Sequence, residues 1–142
     1  MYTTAICSAL MLAALLGQQP PPSSATSSPL DFEVFRTKIQ PIFVAKRPGH
    51  ARCIACHASG TPLRLRPLPA GSTTWSDEDA RKNFEAVQRV VVPGSVTKSR
   101  LLVHPLTEDA GGDFYHSGGK HWSSQTDPEW LALKAFVEGA TK

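Results

Sequence analysis

Three chemically reactive side chains lie within one short segment, Cys53-Ile54-Ala55-Cys56-His57. The spacing is C-x-x-C-H, in which two thiols three positions apart can each add to a vinyl group of one haem. The histidine that follows directly offers an imidazole nitrogen to the iron as its proximal ligand. The segment therefore predicts covalent attachment of one c-type haem through Cys53 and Cys56, with His57 bound to the iron.

Two other uses of the cysteine pair compete with haem attachment. A C-x-x-C pair can be a thioredoxin-like dithiol, but that interpretation requires a surrounding βαβ pattern, which is not visible here. The pair can also form half of a zinc site completed by His57 and His50, although structural zinc sites usually have a second ligand pair. The third cysteine, Cys7, lies in a segment that we expect to be removed. Haem attachment is the favoured interpretation, with zinc binding or dithiol chemistry as the alternative.

The distal ligand of such an iron should be a histidine. The chain has two methionines, Met1 and Met11, and both lie in the segment that we expect to be cleaved. Histidine is a common ligand of iron, and a second one would replace the usual methionine. Besides His57 the chain contains His50, His104, His116 and His121.

The position of each histidine along the chain separates the candidates. His50 lies three residues before the attachment motif, which places it near the proximal side. His116 lies in the glycine-rich segment 111–124, where glycines allow the backbone to approach a ligand closely. We therefore predict His116 as the distal ligand, with His104 and His121, or an open site, as the alternatives.

The start of the chain has the features of an export signal followed by a spacer. Residues 5–17 form an apolar run that has signal-peptide length and is too short to span a bilayer comfortably. No Lys or Arg precedes this run, so the segment could instead remain as a membrane tether. Residues 20–30 are rich in Pro and Ser, as in flexible linkers. We predict a signal over residues 1–19, a linker over 20–30 and one domain over 31–142, in an exported, periplasmic protein.

The overall charge indicates which partners to expect. The formal net charge is +3 and the sequence pI is about 8.9. This mildly basic balance is not the footprint of a nucleic-acid-binding protein. A positive surface can instead steer docking to an acidic redox partner protein.

Hydrophobic periodicity and capping residues predict a set of helices. Residues 31–45 show helical spacing, with Asp31 as the cap and a kink or break at Pro41. A second helix should start at Ser76 and end at the Pro93-Gly94 pair. A short helical turn is expected over residues 99–103. The last helix should begin after Asp127 and end before glycine 139.

This order of elements resembles a class I cytochrome c: a helix, the C-x-x-C-H motif, loops, a middle helix, a distal loop and a terminal helix. The chain is also similar to the cytochrome c domains of exported planctomycete and acidobacterial proteins. Three pieces of the chain carry this similarity. They are residues 38–42, residues 92–94 together with 99–102, and residues 116–120 together with 127–130. The resemblance implies an all-α fold in which the first and last helices pack together around one haem, with long irregular loops. It also implies that Phe35 and Ile39 meet Trp130, Leu133 or Phe136, and that His116 occupies the family's distal position.

Electron transfer by one covalent haem is the function that this resemblance implies, and an enzyme is not expected. A His57/His116 pair predicts a filled coordination sphere and a lower reduction potential than ligation by histidine and methionine. The alternative is a gas-binding sensor or an enzyme subunit with an open distal site.

Further side chains are candidates for contacts with the haem. A buried propionate needs a cationic partner, and the candidates are Arg52, Arg81, Arg89 and Arg100. Trp75 and Trp122 could pack against the haem edge.

Overall fold

The computed structural model of the protein describes residues 30–139. The predicted export signal over residues 1–19, with Cys7 and both methionines, lies outside this range, as does the linker up to residue 29. Leu30, which we assigned to the linker, is only 4% exposed and packs in the core. Within the described range no helix is both long and apolar enough to cross a membrane.

The described part of the chain is helical and has no strand, which confirms the all-α expectation. Long irregular loops join the helices, as predicted. The elements are α1 (Phe32–Val34), a π-helical turn (Phe35–Ile39), α2 (Gln40–Val44), α3 (Cys53–His57), α4 (Asp77–Gln88), α5 (Arg100–Val103), a 3-10 turn (Glu108–Ala110) and α6 (Pro128–Val137).

The N-terminal helix changes its hydrogen bonding just before Pro41. Asp31 caps its start as predicted, because Oδ1 accepts a hydrogen bond at 2.9 Å from the backbone N–H three residues later. The π-helical turn Phe35–Ile39 follows, and Gln40 N–H donates to the carbonyl five residues back. Pro41, which lacks an N–H, then lies in the first turn of α2. The helix is therefore not broken at the proline, because the wider π turn accommodates it.

Helices α4 and α6 start at the side-chain caps that the sequence predicted. Ser76 Oγ accepts a hydrogen bond from Asp79 N at 3.2 Å, and Asp127 Oδ1 accepts one from Glu129 N at 2.9 Å. Pro128 is the first residue of α6, where its missing N–H needs no partner.

Helix α4 ends at Gln88, earlier than the stop predicted at Pro93-Gly94. The reason lies in a competing set of hydrogen bonds. Ser99 Oγ accepts from Val92 N at 2.9 Å and lies 3.1 Å from the Val92 carbonyl oxygen. Ser99 is fully buried, so these contacts hold the segment in a turn where helical bonds would otherwise form.

The first and last helices pack against each other, as predicted. The ring centroids of Phe35 and Phe136 are 6.2 Å apart. Trp130 Nε1 donates to the Leu102 carbonyl oxygen at 3.3 Å, which ties α6 to α5. Ile54 is buried in the same core, so the helix that carries the cysteines is anchored on it.

The segment between α5 and α6 is held by backbone hydrogen bonds outside any regular element. Thr107 N donates to Trp122 O at 2.9 Å, next to an isolated bridge between Leu106 and Trp122. Gly112 N donates to Thr107 O at 2.9 Å. A Cβ at position 112 would overlap the Leu106 carbonyl group, so this close approach requires glycine.

Candidate functional site

One cleft brings together the cysteine pair and four of the histidines. Its empty volume is about 880 Å³, part of which is open to solvent. We call α3 with residues 58–63 the proximal wall and residues 104–122 the distal wall. The side chains of both walls that bear on its chemistry are Cys53, Cys56, His57, His104, His116 and His121.

The proximal wall holds its reactive groups on one helical turn. Because an α-helix has about 3.6 residues per turn, positions three apart lie on one face, and both Cys53 and Cys56 line the cleft. His57 Nδ1 lies 2.9 Å from the Leu63 carbonyl oxygen and 3.0 Å from Thr61 Oγ1. A carbonyl oxygen only accepts hydrogen bonds, so Nδ1 carries the proton and Nε2 keeps its lone pair.

His116 lies opposite His57 on the distal wall. The two ring centroids are 6.1 Å apart and the ring planes differ by 20°. His116 Nδ1 lies 2.6 Å from the Gly119 carbonyl oxygen. This ring therefore also carries its proton on Nδ1, and its Nε2 keeps a lone pair that can bind a metal ion. Burial lowers the pKa of His116, which favours the neutral imidazole that a metal requires.

His104 belongs to a separate polar group beside His116. Their ring centroids are 4.9 Å apart. His104 Nδ1 lies 2.9 Å from Asp113 Oδ2, and Lys120 Nζ donates to the His104 carbonyl oxygen at 3.0 Å. Lys120 also donates to the Asp113 carbonyl oxygen. These contacts fix the outer part of the distal wall through side chains.

His121 lines the cleft, and its backbone N–H donates to the Pro105 carbonyl oxygen at 2.7 Å. Its buried Nδ1 has no partner within residues 30–139. Burial, with the charge of Arg47 adding to it, lowers the pKa of His121 to about 4, so the ring is neutral at physiological pH. Its ring centroid is 5.9 Å from that of His116 and 5.0 Å from that of His50. A buried ring nitrogen without a partner is costly unless a bound group satisfies it.

Arg47 is a functional candidate that the sequence analysis missed, because it lies in a Lys-Arg-Pro-Gly turn that indicated only a change of direction. Its side chain is 12% exposed, and its Nε donates to Glu129 Oε2 at 2.5 Å. One terminal nitrogen lies 3.7 Å from Cys53 Sγ. The only available signal was an arginine six residues before the motif, which carries no specific pattern.

The four arginines that the sequence suggested as cationic partners mostly lie outside the cleft. Arg100 lines the cleft, whereas the Arg81 guanidinium lies 4.4 Å from the ring centroid of Phe32. Arg89 lies in a separate groove beside α4. Arg52 is exposed just before α3 and is not part of the cleft lining.

The two predicted tryptophans also differ in position. Trp122 is 3% exposed and lines the cleft. Trp75 is buried in the core, where its Nε1 donates to the Arg66 carbonyl oxygen at 2.8 Å. Trp75 is therefore a core residue, and Trp122 is the tryptophan available to a ligand.

The competing chemistries find less support in these contacts. In the part of the chain that the structure describes, no three His, Cys, Asp or Glu side chains are grouped as ligands of one ion. The zinc alternative with His50 thus has no assembled donor set there. A reactive dithiol needs a lowered thiol pKa, whereas burial raises the pKa of Cys53 and the nearby Arg47 only partly opposes this.

Comparison of the chain with protein-family models, with curated proteins and with solved structures gave no match.

Proposed function

We propose that the cleft binds one covalent c-type haem and that the protein transfers electrons. The observation that carries this proposal is the opposed pair His57 and His116, with ring centroids 6.1 Å apart across the cleft that Cys53 and Cys56 line. Two imidazole nitrogens on opposite sides of one metal ion are about 4 Å apart, because each metal–nitrogen bond is about 2.0–2.1 Å. The ring centres lie farther out, so the observed separation suits ligation by both histidines.

The proximal residues would attach the haem and orient its first ligand. Cys53 and Cys56 would hold the haem covalently, each by addition of its thiol S–H across one vinyl group. Leu63 and Thr61 hold the proton of His57 on Nδ1. Such outer partners fix the ring orientation and tautomer of a ligating histidine.

The distal residues would complete the coordination and limit the chemistry. Gly119 holds the proton of His116 on Nδ1 in the same way, so both ligands present a neutral Nε2. When bound, the haem supplies a centre that gains or loses one electron. If both histidines held the iron, the protein would exchange electrons with a redox partner protein and would offer no open position to a substrate.

Export is part of the same proposal. The apolar run at residues 5–17 has signal-peptide length, and c-type haem is attached outside the cytoplasm in bacteria. A periplasmic redox protein, tethered if the signal is retained, fits both features.

Covalent haem content tests the proposal directly. The full chain would be expressed with a c-type haem maturation system, and haem retention measured after acid–acetone extraction. We expect one retained haem per chain, with loss of retained haem in Cys53→Ser and Cys56→Ser. Full covalent haem in both variants, or none in the unaltered chain, would contradict the proposal. Stoichiometric zinc in a haem-free protein would favour the metal-module alternative.

A further inference from the structure

A partly buried ion pair joins the cysteine motif to the terminal helix. Arg47 donates to Glu129 Oε2 at 2.5 Å and to the Ile42 carbonyl oxygen at 3.0 Å. Glu129 Oε2 also accepts from Trp122 Nε1 at 3.3 Å. The Arg47 guanidinium lies 5.6 Å from the ring centroid of Trp122. These contacts hold both charges in one fixed place.

The positive end of this pair is the end that touches the attachment site. An Arg47 terminal nitrogen lies 3.7 Å from Cys53 Sγ. Arg47 lowers the pKa of the Cys53 thiol by more than Glu129 raises it, so the cation dominates at the sulfur. Burial opposes the charge of Arg47, but the contacts with its neighbours, the hydrogen bond to Glu129 first among them, raise its pKa on balance, so Arg47 stays charged.

The cationic end of the pair is the more buried of the two. The Arg47 side chain is 12% exposed and that of Glu129 is 32% exposed. Charges in such surroundings are screened much less than charges on the surface. The chain also contains a matched exposed pair, Arg36 and Glu33, whose side chains are 42% and 53% exposed.

We propose that Arg47 and Glu129 form a charge pair that sets the reduction potential of the haem from the Cys53 side. The inference rests on the proposed function, since it needs a haem attached through Cys53. Arg47 is a positioning residue in this account, because it acts through the sulfur and does not bind the iron.

The direction of each effect follows from the charge of the iron. The oxidised iron carries one more positive charge than the reduced iron, so a nearby cation favours reduction and a nearby anion favours oxidation. Arg47→Gln would leave the Glu129 carboxylate unbalanced and lower the reduction potential. Glu129→Gln would leave the Arg47 cation unbalanced and raise it.

The experiment is a redox titration of the holoprotein and its variants at fixed pH and low salt. We expect shifts of opposite sign in Arg47→Gln and Glu129→Gln, and a value between the two in the double variant. Arg47→Lys, which keeps the charge, should remain near the unaltered protein. Arg36→Gln removes the same charge from the exposed pair and should shift the potential less than Arg47→Gln does.

The sign of the shifts separates an electrostatic role from a merely structural one. A loosened structure would expose the haem in either single variant and move both potentials in the same direction. Shifts of equal sign, or shifts no larger than that of Arg36→Gln, would overturn the inference. If Arg47→Gln yields no folded holoprotein, an unchanged potential in Glu129→Gln would overturn it as well. Absence of haem from the unaltered chain would instead contradict the proposed function.

Discussion

The two walls of the cleft are built in different ways. The proximal wall places Cys53, Cys56 and His57 on one helical turn, and its supporting contacts to Thr61 and Leu63 come from the next few residues. The distal wall is a loop whose shape depends on contacts between residues well apart in the chain, such as Lys120 with His104 and Gln125 with Ala110. Local geometry thus fixes one wall and tertiary packing the other, so the two walls should respond differently to substitution.

The largest expected effect is at His116, the proposed distal ligand. In His116→Ala the haem should stay attached, because the cysteines and His57 are unchanged, but the iron should become high-spin. Optical and paramagnetic resonance spectra of the holoprotein would measure this change.

His104→Ala is the matched control. In the unaltered protein His104 lies on the same wall, but its Nδ1 is already paired with Asp113. It should remain low-spin. A low-spin His116→Ala protein together with a high-spin His104→Ala or His121→Ala protein would move the ligand to that residue.

A second prediction concerns the packing that shapes the distal wall. Gly112→Ala places a Cβ on the Leu106 carbonyl group, and such overlap typically costs about 1–3 kcal/mol of stability. Denaturant unfolding would measure the loss. Gly71→Ala is the control, since a Cβ there meets nothing within 4 Å and only the positive φ of 75° is strained. Equal losses in the two variants would contradict the close approach at Gly112.

On the proximal wall a single contact should matter less. Thr61→Val removes a hydroxyl that lies 3.0 Å from His57 Nδ1 and donates to Leu63 O at 2.5 Å. The Leu63 carbonyl still accepts from the ring, so we expect a loss of about 0.5–1.5 kcal/mol in unfolding free energy and an unchanged low-spin spectrum. Loss of the low-spin spectrum would contradict this prediction, because it would show that the position of His57 depends on the Thr61 hydroxyl.

The smallest expected effect is a dependence of stability on pH from the distal wall. The folded pKa of His121 is about 4, below its ordinary value of about 6.5. As the pH falls from about 6.5 towards 4, the unfolded chain takes up the proton first, so stability should decrease and then level off. Because the ring is only half-buried, the slope should be well below the limit of about 1.4 kcal/mol per pH unit. Unfolding curves across this range should show a shallower slope for His121→Gln, and equal slopes would contradict the prediction.

The helices could be predicted because their signals are local. Asp31, Ser76 and Asp127 are caps whose partners lie two or three residues away, and the predicted start and end of α6 agree with its observed bounds. The early end of α4 depends on Ser99 and was therefore not visible in the sequence.

In the candidate site, too, the residues with a local signal could be predicted and those placed by tertiary contacts could not. The spacing of Cys53, Cys56 and His57 predicted the proximal wall, and glycines around His116 indicated where the distal wall would be. Arg47 could not be predicted, because its partner Glu129 is 82 residues away. Side chains that meet only through tertiary packing leave no periodic or spacing signal in the sequence.

The optical spectrum of the purified holoprotein, oxidised and reduced, distinguishes iron bound by both histidines from iron with an open site. A cleft with His57 and His116 on opposite walls predicts covalently retained haem, a low-spin spectrum in both states and no charge-transfer band from a methionine ligand. A high-spin spectrum with haem retained would contradict ligation by His116 and favour a gas-binding or enzymatic site. Absence of haem would contradict the account as a whole.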